Sequence, residues 1–379
     1  MRVATPSIVA VTILALGLTA SAATRHVSVS GTDTGDCTAH PCRTITYAVS
    51  VASPGDTIKV APGTYKEEVT INKRLTILGS NTLDARHGEP ASQRRILDAT
   101  GLDNGFVITG TTAAGTEVRG FTVENAGREG IFATQTSNLK FVGNVLKFND
   151  AYGPNSDKCP PNEPDDCGEA LHLNSVTYSI ASGNVVENNV GGILLTDEEG
   201  PNHGNLITNN QVVNNDIDCG ITLASHYFNP DHVAPPDQGG VYDNYVLLNT
   251  SNSNGSAGVG VFAGPPGAAA YRNYVLGNVA NDNGLPGVAI HSHTPNQYVN
   301  DNVVEFNSVS NNGPDEDVGV PDPTGIIVFS AVVPIPRTTV AFNHISHEHY
   351  GIYTQNAVQV IGLHTNWFGP GVDIPISQH

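Results

Sequence analysis

The chain has 379 residues, 39% of them hydrophobic, and a formal net charge of −19 from 36 acidic and 17 basic side chains. After Lys158 the only basic residues are Arg272 and Arg337, so the later part of the chain offers no footprint for nucleic acid. Such an acidic surface holds a polyanionic glycan only across a bridging cation such as Ca²⁺.

The N-terminus carries Arg2, an apolar run from Val9 to Leu18 and the small residues Ala20-Ser21-Ala22. This pattern predicts a signal peptide over residues 1–23, and a mature chain that is secreted or periplasmic without a membrane span. Residues 24–379 are then expected to form one domain, with a cap over about 24–60 and coils over about 61–365. Five cysteines suit an oxidising compartment. Local pairing is expected for Cys37 with Cys42 and for Cys159 with Cys167, leaving Cys219 as a buried small apolar residue. Residues 26–30 alternate as a strand. Arg43 to Ala52 places Ile45, Ala48 and Val51 at helical spacing and predicts a short capping helix. A strand is expected at Thr57 to Val60, a turn over Pro62 to Tyr65, and a strand at Val69 to Ile71.

Beyond this point the chain repeats itself. One phrase places Asn five residues after Asn: Asn144 and Asn149, Asn184 and Asn189, Asn210 and Asn215, Asn244 and Asn249, Asn273 and Asn278, Asn302 and Asn307. A copy starting at Asn343 lacks its second Asn. A second phrase, Gly followed by alternating apolar residues, starts at Gly130, Gly168, Gly192, Gly220, Gly258, Gly287, Gly325 and Gly351. The intervals run from 24 residues (Gly168 to Gly192) to 38 (Gly130 to Gly168); no span reads as a long amphipathic helix that could cross between strands, and a unit of this length holds one coil of stacked short strands. The fold class read from this is all-β, a parallel β-helix solenoid in which like residues stack about 4.8 Å apart and Asn side chains form ladders at the turns. Val358 to Trp367 is apolar enough to cap the last coil, with Trp367 and Phe368 closing the core.

Three stretches resemble the opening of secreted right-handed parallel β-helix proteins of the pectin-lyase-like superfamily. They are Pro41 to Ala48, Ala52 to Tyr65 with its Pro-Gly-Asp and Pro-Gly-Thr-Tyr turns, and Leu75 to Gly79. The Asn and Gly coils resemble the repeats of the same superfamily. The resemblance implies a right-handed solenoid. It leaves function open among polysaccharide lyases, glycoside hydrolases, uronate epimerases, tailspikes, adhesins and a periplasmic factor for copper-enzyme maturation. Many lyases of the superfamily use Lys or Arg at the site; here Arg272 is the only basic residue near the expected cleft.

Counted from each Gly, the first and third positions are apolar and expected inside: Ile193 and Leu195, Ile221 and Leu223, Val259 and Val261, Val288 and Ile290, Ile326 and Val328. Glu169 breaks the rule, which predicts a distorted coil or a side chain pointing into a site. The fourth position reads His172, Thr196, Ala224, Phe262, His291 and Phe329. The sixth reads Asn174, Glu198, His226, Gly264, His293 and Ala331. Insertions at 153–167, 227–239 and 313–323 flank this strand, so the stripe predicts a cleft. Glu198 and His226 on adjacent coils make a candidate acid/base pair, since a carboxylate orients an imidazole and raises its basicity. Tyr227 and His232 are candidate second proton-transfer groups, with His172, Asp197 and Arg272 as further catalytic candidates. Phe262, His291, His293 and His232 are candidate substrate contacts. With an acidic sugar the set reads as β-elimination; with a neutral sugar, Asp197 or Glu198 paired with a carboxylate such as Asp237 reads as hydrolysis.

Candidate metal ligands are His291 and His293, which share a strand face, and His344, His347 and His349 beside Glu348, for Zn²⁺ or Cu²⁺. Asp165-Asp166 and Asp315-Glu316-Asp317 are candidate Ca²⁺ ligands. No organic cofactor is expected. The reading that gathers most of these residues is a secreted polysaccharide lyase with a polysaccharide as its partner. The alternatives are a non-catalytic glycan-binding or adhesive β-helix and a periplasmic metal-handling protein.

Overall fold

The computed structural model describes residues 22–79, 90–150, 152, 169–228, 239–355 and 358–379. The signal-peptide stretch up to residue 21 and the positions of Cys159, Cys167, Asp165, Asp166, His232 and Asp237 lie outside these residues.

The described chain winds as a right-handed parallel β-helix. Three long sheets hold 12, 11 and 11 strands, and a short fourth sheet holds three. The first sheet runs from Thr24–Val27 to Val358–Ile361, the second from Gly63–Tyr65 to Trp367–Phe368, and the third from Val69–Ile71 to Val372–Gln378. Paired strands such as Tyr245–Leu247 and Tyr274–Leu276 are three residues long and parallel. In a three-residue strand only the middle side chain points inward, and Val246 and Val275 are buried accordingly. The stretch Pro62 to Tyr65, read from sequence as a turn, provides the strand Gly63–Tyr65, and the first strand ends at Val27 rather than at residue 30.

The helix forms at Ile45–Val51, with the Thr44 hydroxyl accepting from Tyr47 N at its start. It buries Ile45, Ala48 and Val49 over the open end of the first coils. The Cys37–Cys42 disulfide is present beside it, and Cys219 is buried with a free thiol. All ten apolar residues expected inside the third sheet belong to one continuous core.

The Asn residues form three ladders rather than two, one at each corner of the coil. At one corner Asn205, Asn244, Asn273 and Asn302 stack; at the next Asn184, Asn210, Asn249, Asn278, Asn307 and Asn343; at the third Asn189, Asn215, Asn254, Asn283 and Asn312. The five-residue phrase therefore slides. In its first three copies it spans a strand of the second sheet, and in the last three a strand of the first. Each ladder Asn also ties its own corner. Asn249, for example, donates to Ile207 O at 2.9 Å and to Asn278 Oδ1 at 3.0 Å, and accepts from Asn210 N and Nδ2. Where the Asn343 copy lacks its partner, Glu348 takes the third-corner place and accepts from Asn312 N at 3.0 Å and Nδ2 at 2.9 Å.

At the far end, strand pairing continues to Gln378, beyond the boundary near 365 expected from sequence. Phe368 and Leu363 pack on the core, as expected for a closing layer. Trp367 does not: it is 53% exposed and stacks on His344 at 3.7 Å, because the strand Trp367–Phe368 pairs in register with His344–Ile345 and alternates outward first.

Candidate functional site

From Glu169 onward most outward residues of the third sheet are buried, whereas Thr70, Val107 and Phe132 in its first coils are not. In the later coils Cys219, Ala257, Ala289, Ile327 and Phe329 form a second apolar cluster there. Beside it lies a groove of about 420 Å³ whose lining includes Thr222, His226, Phe262, Gly264, His291, His293 and Asp317. Four residues read from the sequence as site candidates, His226, Phe262, His291 and His293, thus meet in one groove. The registers Ala224 with Phe262, Phe262 with His291 and His291 with Phe329 hold as counted from the Gly phrases.

Glu198 and His226 come together as their equivalent positions predict: His226 Nδ1 lies 2.8 Å from Glu198 Oε1. The second oxygen of Glu198 accepts from the Thr196 hydroxyl. Burial pushes the Glu198 carboxyl up. The hydrogen bond from His226, the charges of His172 and His226 and the Thr196 hydroxyl outweigh it, and its pKa is lowered. Between His226 and His293 the sixth column carries Gly264, whose missing side chain leaves a one-coil gap. The two imidazoles therefore flank a space about 10 Å long, twice the strand spacing.

His291 Nε2 lies 2.9 Å from Asp315 Oδ2, both side chains buried. The ring of His291 meets His293 edge to face at 5.3 Å and Phe262 at 5.2 Å. Burial, and next the charge of His291, lowers the pKa of His293. Asp315, Glu316 and Asp317 do not converge on a common point for Ca²⁺. Asp315 turns inward to His291, while Glu316 and Asp317 sit on an exposed turn of 3₁₀ helix.

Asp197 is not a groove residue. As the fifth residue after Gly192 it points inward, fully buried, and accepts from Ser225 Oγ at 2.8 Å, His226 N at 2.8 Å and Tyr227 N at 3.2 Å. Gln297 Oε1 makes the matching set to Ser292 Oγ, His293 N and Thr294 N. Both latches hold the turn that presents an imidazole. Burial pushes Asp197 up to about 6 against those hydrogen bonds. Tyr227 is 38% exposed on the same turn. Arg272 is held away from the groove. It binds Asp243 through two bonds of 2.8 Å and lies over the Tyr271 ring, next to the short fourth sheet. A positive φ at Arg272 aims it outward at the corner. Among the described residues, the groove lining contains no Lys or Arg.

The histidines near the C-terminus are not brought together. His344 stacks on Trp367, His347 Nδ1 lies 3.5 Å from Ser310 Oγ, and His349 Nδ1 lies 3.0 Å from Asp373 Oδ2. Instead, among the described residues, one trio of His, Cys, Asp or Glu converges closely enough for a metal ion: Glu129, Glu169 and His172, all buried, with ligand atoms within 4.8 Å of one another. Ile131 pairs with Leu171, so Glu129 and Glu169 occupy one column on adjacent coils. Leu171 and Leu173, rather than Glu169 and Leu171, pair with Ile193 and Leu195. The Gly168 phrase is therefore two residues out of step, which explains the misplaced Glu169. His172 falls in the column of Phe132 and Leu194, not of Thr196. Aligning Glu129-Gly-Ile-Phe132 with Glu169-Ala-Leu-His172 was the signal in the sequence that exposes the trio. Gly191, opposite Glu169, leaves room for it: a Cβ there would meet Glu169 Cγ at 3.1 Å.

A profile of the NosD family, described as periplasmic copper-binding protein, matches residues 49–252, over half the chain. The chain belongs to the NosD family. The matched span includes Glu129, Glu169, His172, Glu198 and His226 and stops before His291. No curated protein matches the chain in sequence. Among solved structures, the A-module of the Azotobacter vinelandii mannuronan C-5 epimerase AlgE4 shares 14% identity at a TM-score of 0.57, over 88% of this chain and 92% of that one. DFA-IIIase from Arthrobacter chlorophenolicus A6 without its lid shares 14% identity at a TM-score of 0.55, over 95% and 92%. At these identities the likeness shows the fold, a right-handed parallel β-helix. No described helix is long and apolar enough to cross a membrane.

The donor set of this NosD-family chain fits a borderline divalent ion. Two carboxylates and an imidazole suit Zn²⁺ or Cu²⁺, whereas Cu⁺ prefers sulfur. Cys219, the free thiol among the described residues, lies in the apolar cluster with its pKa pushed well up by burial.

Proposed function

We propose that the chain is an exported glycan-active enzyme whose groove on the third sheet carries out proton abstraction and β-eliminative cleavage of a polysaccharide. The observation that carries this reading is the 2.8 Å contact of His226 Nδ1 with Glu198 Oε1 at a groove floored by Phe262. An ionised carboxylate only accepts, so His226 presents Nδ1–H to Glu198 and Nε2 is its base. In this reaction His226 takes the C5 proton of a uronate, the C4–O bond breaks as C4=C5 forms, and the leaving oxygen collects a proton from Tyr227 on the same turn. Hydrolysis has weaker support, because it needs two carboxylates across the scissile bond. Asp197 is committed to its turn and Glu198 to His226 and Thr196. Among the described residues the lining supplies no cationic side chain for the uronate carboxylate, so the reading predicts dependence on an added divalent cation.

The test is a polysaccharide panel on the mature chain, with and without EDTA, recording reducing ends and the ultraviolet absorbance of an unsaturated uronate. Both signals should rise together and fall with EDTA. Reducing ends alone would replace elimination by hydrolysis.

A second reading, a periplasmic metal-handling protein, is favoured by the buried Glu129–Glu169–His172 trio within the span matched by the NosD family. It predicts stoichiometric Zn²⁺ or Cu²⁺ on the purified chain by elemental analysis, and silence on the glycan panel. A non-catalytic adhesive role has no observation of its own.

A further inference from the structure

The metal trio and the Glu198–His226 pair are joined by one continuous run of side chains. His172 Nε2 lies 2.8 Å from Thr196 Oγ1, Thr196 reaches Glu198 Oε2, and Glu198 Oε1 meets His226 Nδ1 at 2.8 Å. His172, Thr196 and Glu198 are buried or nearly so, and the run crosses three successive coils of the third sheet.

The chemistry of the groups fixes its direction. Thr196 has one hydroxyl proton, and its partner Glu198, as a carboxylate, only accepts; Thr196 therefore donates to Glu198. The Thr196 oxygen must then accept from His172, which places a ring proton of His172 on Nε2. Its Nδ1 lies 3.6 Å from Glu129 Oε1, on the side of the carboxylates. A divalent cation there would take the neutral ring through Nδ1, with the far N–H held by Thr196 as the second nitrogen of ligating histidines generally is held. Glu129 Oε2, buried on the same side, has no hydrogen-bond partner among the described residues.

We propose that Thr196 is a positioning residue that couples the two sites: a divalent cation on Glu129, Glu169 and His172 Nδ1 fixes the His172 ring and, through the Thr196 hydroxyl, the placement of Glu198 and His226. The proposal rests on the metal reading of the trio and does not need the groove to act on glycans. Breaking the run at Thr196 leaves the three ligands in place and severs the coupling.

The experiment uses ZnCl₂ alone on the full mature chain labelled in its histidine rings, followed by NMR, with calorimetry for stoichiometry. The His226 signal is assigned by its loss in His226→Gln. One equivalent of Zn²⁺ should move the His226 ring signal. Glu129→Gln should weaken Zn²⁺ binding at least tenfold and abolish the movement. Thr196→Val should keep the affinity within threefold and reduce the movement at least fivefold. Thr196→Ser, which retains the hydroxyl, should restore it, a result that altered packing alone would not give. Zn²⁺ bound with no response at His226, or an equal response in Thr196→Val, overturns the coupling. Tight binding that survives Glu129→Gln, or no binding, overturns the metal reading beneath it. Neither result bears on cleavage, which the panel reads separately.

Discussion

In the coils from Asn205 to Asn312 three corners are built from Asn ladders, and the fourth corner, where the third sheet turns past Glu198, His226, Gly264, His293 and Ala331, is not. At the Asn corners every amide serves the coil before and the coil after, so the sequence varies there only where another acceptor such as Glu348 takes the place of the Asn. At the fourth corner the turn is held from beneath by single latches, Asp197 in one coil and Gln297 in another. The outward residue is thereby released from structural duty and changes at every coil. Regularity on three corners permits irregularity on the fourth, and the groove lies beside it.

Substitutions on the two kinds of corner should therefore behave differently. The largest loss is expected for Gly192→Ala inside the repeat. Its Cβ would overlap the Gly220 carbonyl and crowd Val212 Cγ1 at 2.7 Å, backbone and core that cannot move aside. Urea denaturation should show a loss of more than about 4 kcal/mol, or no folded protein. Asn278→Ala leaves the Val246 carbonyl and the Asn249 donors unpaired inside a ladder, and should cost about 2–4 kcal/mol by the same measurement.

A smaller and pH-dependent effect is expected at Glu348, where the third ladder ends. Burial pushes its pKa up to about 7 against the bonds from Asn312. The folded chain thus holds the proton more tightly than the unfolded chain. Its stabilisation is complete below the ordinary Glu value and is lost as pH rises through about 7. Glu348→Gln keeps the acceptor and removes the titration. It should raise Tm by about 2 °C at pH 8 and leave it unchanged at pH 4, a shift of the order of 1 kcal/mol in a chain of this size.

The smallest effect on stability belongs to Gly264→Ala. The new Cβ meets only Ser225 O at 3.7 Å and His226 Cδ2 at 3.8 Å, ordinary contacts, and the change should stay within about 0.5 kcal/mol. It narrows the space between the two imidazoles, so KM for a cleaved glycan should rise while Tm holds.

The same contrast explains what the sequence disclosed. Alternation after Gly192, Gly220, Gly258, Gly287 and Gly325 was enough to place the core, because inward positions repeat without exception. Equivalent sixth positions were enough to bring Glu198 to His226. The helix at Ile45–Val51 and the Cys37–Cys42 bond were local and equally legible. The third ladder was hidden because five-residue spacing recurs at two strands of each coil, so a single phrase matched both. Glu129, Glu169 and His172 were hidden by a glycine, Gly168, two residues upstream of the position that pairs with Gly130. Arg272 stood near the cleft in sequence, but its left-handed corner turns it to Asp243. Such side-chain directions depend on the corner a residue occupies, which spacing alone does not fix.

The most direct test of the groove is cleavage of an oligouronide by the wild-type chain and by the Glu198→Gln, His226→Gln double variant, followed through the unsaturated product. Loss of a general base of this kind should lower kcat by about 10²–10⁴, with the Tm of the double variant close to that of the wild type. Equal rates in the two proteins would contradict the assignment of the fourth corner as the active site.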